Sequence, residues 1–88
     1  MNDRPRIEFP CDHYPIKVIG NSSQVLTRSV VDIVRTHDSE FREETVEEQP
    51  SSKGNYTSVR LSIRATGESQ LKALHEDLMS HPLVKLVL

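Results

Sequence analysis

The sequence predicts one α+β domain of βαββαβ order, and three observations carry that expectation. Residues 56–65 alternate apolar and polar with period 2, the pattern of a strand with one buried face. On either side of it, segments beginning near Ser23 and Gly67 repeat their apolar residues at helical spacing. Short β-branched runs at 16–20 and 83–88 supply strands before the first helix and after the second.

Residues 1–8 are polar and charged and read as a flexible arm preceding a single domain at 9–88. Phe9-Pro10 and Tyr14-Pro15 bracket Cys11-Asp12-His13, where the prolines resist helix and the rings are expected to pin the segment to the core. Ile16 to Gly20 is the first strand. Asn21, Ser22 and Ser23 are N-cap candidates, with Gln24 three residues after Asn21 as in a capping box. Leu26, Val30, Ile33, Val34 and His37 then form one stripe, with Arg28, Asp32 and Arg35 on the opposite face. That predicts a helix of about 14 residues ending near His37-Asp38.

Phe41 to Glu48 is expected to be an edge strand, where Glu40, Glu43, Glu44, Glu47 and Glu48 would discourage unwanted pairing. The stretch from Gln49 to Asn55 is dense in turn formers. Tyr56 to Ala65 follows as the clearest strand, turning Val59, Leu61, Ile63 and Ala65 to one side. Thr66-Gly67 starts the second helix, whose stripe is Leu71, Leu74 and Leu78 with Ala73 and Met79 nearby. His81-Pro82 stops it, and Leu83 to Leu88 makes the last strand. The order favours a ferredoxin-like sandwich: a four-stranded antiparallel sheet with two helices on one face. Right-handed crossovers place the first and third strands in the centre and the acidic and last strands at the edges.

At 88 residues the chain suits one domain with one core. Its 11 basic and 13 acidic residues give a net charge of −2, where a fold that grips phosphate backbones would show a basic excess. Cys11 is the single cysteine and has no partner for an internal disulfide, which suits a reducing compartment. Apolar runs such as Leu86-Val87-Leu88 are far shorter than the ~20 residues that span a bilayer. The first residues also lack the apolar stretch of a signal peptide, so the expectation is a cytoplasmic protein without membrane contact.

Two constellations are candidate sites. Ser51, Ser52, Lys53, Gly54, Asn55 and Tyr56 have the parts of an anion cradle, namely hydroxyls, an amide, a flexible glycine and a lysine. The alternative is a plain turn between strands, with Gly54 or Asn55 at positive φ and Tyr56 packing at the strand start. Ser58, Arg60, Ser62 and Arg64 line the strand face away from the helices, and Lys17 and Lys85 could join them in a mildly basic surface. RNA recognition on such a sheet needs aromatic rings on its central strands, and only Tyr56 is available, so nucleic acid is disfavoured. The arginines are instead expected to pair with Glu43, Glu44 or Glu47. Cys11 with His13 offers too few ligands for a metal, and no base, nucleophile and oxyanion-hole set emerges. No cofactor and no catalysis are expected.

Three stretches resemble the YbeD-like family of small bacterial proteins of undetermined function. They are Phe9 through Gly20, Pro50 through Val59 with its Ser-Ser-Lys-Gly-Asn-Tyr core, and Val84 through Leu88. The resemblance runs from about residue 7 to residue 88. It implies a ferredoxin-like fold similar to ACT domains, the small-molecule-sensing modules of some metabolic enzymes, and genes that often lie beside lipoate-attachment genes. The arm before Phe9 and the Glu-rich segment 40–48 depart from the family pattern, and the family supplies no catalytic residues to carry over.

The leading expectation is therefore a non-catalytic regulatory or small-molecule-binding module that senses a small anionic metabolite. The alternative is an adaptor docking onto a metabolic enzyme. A homodimer is also a candidate, because the last strand is an apolar sheet edge guarded only by Lys85.

Overall fold

The computed structural model describes residues 9–88, and the arm predicted at 1–8 lies outside them. Strand β3 (Tyr56–Ala65) runs through the middle of the sheet, and β1 (Cys11–Asn21) lies antiparallel beside it. The edges are β2 (Glu47–Pro50) against β3 and β4 (Val84–Val87) against β1, giving the order β2-β3-β1-β4. Helices α1 (Leu26–His37) and α2 (Glu68–Ser80) provide the second layer. This is the α+β architecture the sequence pattern implies.

The period-2 alternation of β3 translates directly into burial. Val59, Leu61, Ile63 and Ala65 are buried, and in β1 so are Ile16 and Val18. The register sets Ile16 opposite Leu61 and Val18 opposite Val59, so the apolar rows of the two central strands meet on one face. Leu26, Val30, Val31 and Val34 of α1 and Leu74 and Leu78 of α2 complete the core on that side.

Four details differ from the sequence pattern. First, β1 begins at Cys11 rather than Ile16 and accommodates Pro15. Lys17 N–H donates to the Leu88 carbonyl (3.1 Å), so the missing N–H of Pro15, two residues earlier, would face the same side beyond the end of β4. Second, α1 is two residues shorter than the expected 14, and Val25 is its N-cap residue with no side-chain cap. Asn21 stays in β1, and the Ser23 hydroxyl instead accepts from Val25 N–H (3.2 Å). Third, Val31 belongs to the buried stripe while Ile33 is only half-buried.

Fourth, the acidic segment is not one strand. Phe41 is buried, Glu43–Thr45 forms a single 3-10 turn, and β2 starts only at Glu47. The turn brings the Glu43 carboxylate to Arg28 (2.7 Å) and Arg35 (3.0 Å) of α1, so this glutamate serves the helix rather than the sheet.

One polar residue joins three elements. The Gln70 amide donates to the carbonyls of His37 (2.9 Å) and Arg64 (3.0 Å) and accepts from Thr66 N–H (2.7 Å). It thus ties the end of α1 and the end of β3 to the start of α2. Gln70→Ala is expected to cost about 1–3 kcal/mol, since three backbone groups lose their partner at once. Chemical unfolding reads this directly, and a loss below about 0.5 kcal/mol would show that water replaces the amide.

Candidate functional site

The helices cover one face of the sheet and leave the other open. On the open face Lys17 lies directly opposite Arg60, Pro15 opposite Ser62, and Ile19 opposite Ser58. The edges extend these rows, with Glu47 beside Arg60 and Leu86 beside Ile19. A shallow cleft of about 450 Å³ forms here, with Lys17, Arg60, Glu47, Thr45, Ser62 and Leu88 among its lining residues.

Electrostatics single out its centre. Two cations face each other on neighbouring strands, an arrangement that costs roughly 0.2–1 kcal/mol where nothing neutralises it. Among the described residues, neither Lys17 nor Arg60 has an acidic group within 4.0 Å, and Glu47 shares the register of Arg60 without closing an ion pair.

The expectation that Arg60 and Arg64 pair with Glu43, Glu44 or Glu47 is therefore corrected. Glu43 is held by α1, Glu44 sits 3.7 Å from Arg42, and Arg64 lies 3.5 Å from Asp12. The Arg64 backbone N–H also donates to the Asp38 carboxylate (3.1 Å). Arg64 and Ser58 share the open face but do not line the cleft, and neither does Lys85.

The turn of Ser51, Ser52, Lys53, Gly54, Asn55 and Tyr56 is exposed throughout. Much of its polar capacity is used internally. Ser51 N–H donates to the Tyr56 carbonyl (2.8 Å), the Ser51 hydroxyl accepts from Tyr56 N–H (3.2 Å), and Gly54 N–H donates to the Ser51 carbonyl (2.9 Å). Gly54 holds φ +75°, where a side chain would be strained. The Asn55 carbonyl accepts from Ser22 N–H (3.0 Å), which fastens the turn to the β1–α1 connection. Tyr56 does not pack at the strand start as expected, and 47% of it is exposed. Lys53 projects from a surface separate from the Lys17–Arg60 cleft.

The remaining candidates are also placed. Against β1, Gly20 pairs with Val84 and Ile19 with Leu86, so Lys85 is an extra, bulged residue on the outer edge of β4. A bulge and a lysine at one position both oppose the addition of another strand. Cys11 is half-buried where the β1–β3 register shifts. No group of three or more His, Cys, Asp or Glu side chains is arranged to hold a metal among the described residues. None of the described helices is long and apolar enough to cross a membrane.

Comparison with known proteins places the chain. The family described as "Protein of unknown function (DUF493)" matches residues 4–88. The chain belongs to that family. Among DUF493 relatives, a UPF0250 protein of Janthinobacterium sp. (strain Marseille) is 46% identical over 93% of this chain and 89% of its own length. UPF0250 protein NE1487 of Nitrosomonas europaea is 41% identical, with both chains covered completely.

Solved structures show the same fold at low identity. Protein HP0495 from H. pylori superposes with a TM-score of 0.78 at 20% identity, covering 98% of this chain and 89% of its own. The ACT domain of the GTP pyrophosphokinase of Chlorobium tepidum gives 0.64 at 17% identity, covering 88% and 95% respectively. The YbeD-like resemblance and the ACT-like, ferredoxin-like fold are thus confirmed for this DUF493 protein.

Lys17 and Arg60 were both visible in the sequence as parts of a basic surface. Their mutual opposition was not, because it depends on the register between strands separated by 34 residues of intervening chain (residues 22–55). No local motif encodes that register.

Proposed function

We propose that this domain is a non-catalytic binding module that recognises the anionic group of a small metabolite on its open sheet face. The observation that carries the reading is the cross-strand pair of Lys17 and Arg60, neither closed in an ion pair, on the two central strands in the open-face cleft. A carboxylate or phosphate between them would relieve the repulsion and accept charge-assisted hydrogen bonds from both. Ser62 and Thr45 add hydroxyls to the same cleft. The rigid sheet fixes the spacing of the two cations before a ligand arrives, which limits the ordering cost of binding.

Docking onto a metabolic enzyme is the second reading, supported by Leu86 and Leu88, which are 45% and 65% exposed beside the cations. The two readings diverge in titration. With citrate as the probe at low salt, amide NMR shifts should saturate around Lys17 and Arg60 and disappear in Arg60→Ala. Shifts scattered over Lys53, Arg42 and Lys72 alike would sink the small-anion reading.

A stability measurement tests the same premise without a ligand. Lys17→Thr removes the repulsion and introduces a good strand former, so it should leave stability unchanged or raise it by about 0.2–1 kcal/mol. If the substitution destabilises by more than about 0.5 kcal/mol, the lysine stem is a packing element and the cations are not in conflict.

A further inference from the structure

On the helix side of the sheet, α2 leaves a second opening. β4 pairs with β1 only from Val18 to Gly20, and Leu88 closes one more pair of backbone hydrogen bonds on Lys17. Tyr14 and Ile16, nearer the start of β1, have no β4 residue beside them. A groove of about 250 Å³ remains there, lined by those two residues, by Leu71, Leu74 and Leu78 of α2, and by Val87 and Leu88. Two further side chains of α2 line it, Lys72 and His75, both exposed.

The groove is therefore apolar with its polarity at the rim, the usual make-up of a small-molecule site. Its ionisable side chains, apart from the Tyr14 phenol, are Lys72 and His75. Among the described residues, no acidic group lies within 4.0 Å of Lys72 or His75, and Glu68, one turn earlier on α2, does not close a pair with Lys72. The volume limits the occupant. At roughly 30 Å³ per water-sized group, 250 Å³ takes about eight non-hydrogen atoms. A phosphate ion would leave the apolar wall uncovered, and an uncharged hydrocarbon would make no use of the rim.

We propose that this groove binds a small carboxylate with an apolar body, the body against Tyr14, Leu71 and Leu78 and the carboxylate at Lys72 and His75. The site adjoins the open-face cleft at Ile16 and Leu88, which line both, but it has its own cations and includes neither Lys17 nor Arg60.

Hexanoate, with eight non-hydrogen atoms, is the probe, and the full chain labelled for amide NMR is the reporter. Binding on the order of 1 mM is expected for a ligand this small, with saturable shifts at Tyr14, Leu71, Leu74 and Val87. 1-Hexanol and acetate should each bind at least about fivefold more weakly, the first lacking the charge and the second the body. Lys72→Glu should weaken hexanoate by at least about fivefold while leaving the backbone spectrum of the free protein in place, because the side chain is exposed. The proposal is overturned if hexanoate produces no saturable shift up to about 20 mM, if 1-hexanol binds equally well, or if the shifts centre on Lys17 and Arg60. The last result would favour the open-face site instead, so the two sites fail separately.

Discussion

Leu61→Ala is expected to destabilise the domain by about 2–5 kcal/mol, the range for truncating a buried leucine and leaving part of the cavity unfilled. Leu61 is 4% exposed at the middle of β3, opposite Ile16 of β1 and facing the helical layer. It is flanked by Val59 and Ile63 on the same face, and the helices are held over that face by their own buried residues, Leu26, Val30, Val31 and Val34 of α1 and Leu74 and Leu78 of α2. A domain of 88 residues has roughly 4–13 kcal/mol in all, so the variant should lose a large fraction of its stability and melt at least about 10 °C lower. Arg64→Ala on the opposite face is the control. Its ion pair with Asp12 spans 3.5 Å between exposed side chains, and the change should cost about 0.5 kcal/mol or less. Urea unfolding of the two variants decides the matter. A greater loss for Arg64→Ala would mean that the open face, and not the helix face, carries the packing.

Leu61 and Arg64 also mark what the sequence discloses best. Where a residue's role follows from its own neighbours, as in the alternation of β3 or the leucine stripe of α2, the pattern and the fold agree. Roles decided by a distant partner stayed hidden. Pro15 suggests a break in a strand, yet β1 runs through it because β4 ends before it can require the missing N–H. Glu43 reads as a guard on an edge strand, yet two arginines of α1 claim it and draw its segment into a 3-10 turn.

Lys85 looked like a lone guard, while the bulge it occupies arises from a register shift with β1. The candidate site follows the same division. The basic residues of the open face were legible as a group, but which two oppose each other without a closed ion pair emerges only from the register of β1 against β3. The Ser51–Tyr56 turn, the most distinctive stretch of the sequence, proves in the structure to spend much of its hydrogen bonding on itself and on Ser22. The helix-side groove had no sequence signal, since it exists because one short strand stops beside a longer one.

Gly20→Ala should be the most damaging small substitution outside the apolar core, at about 1–3 kcal/mol or more. The reason is space. A Cβ at this position would lie 2.6 Å from the Leu83 carbonyl oxygen and 2.8 Å from Leu26 Cδ1. The leucine could in principle turn aside, but it is 1% exposed and packed into the core. The carbonyl cannot move alone, because it accepts the Asn21 N–H at 2.8 Å and leads directly into β4. A methyl group here therefore pushes β4 outward just where its register with β1 already shifts between Ile19 and Gly20. The damage should be local before it is global. Amide exchange should quicken first at Asn21 and Leu88, whose N–H groups bond across the β1–β4 junction, while the β1–β3 pairing stays protected. Loosening β4 also displaces Val87 and so widens the groove beneath α2, which predicts weaker hexanoate binding in the same variant. Stability within about 0.5 kcal/mol of the parent, with unchanged exchange at both amides, would show that the β1–β4 junction yields easily and that Gly20 is not what lets the two strands approach.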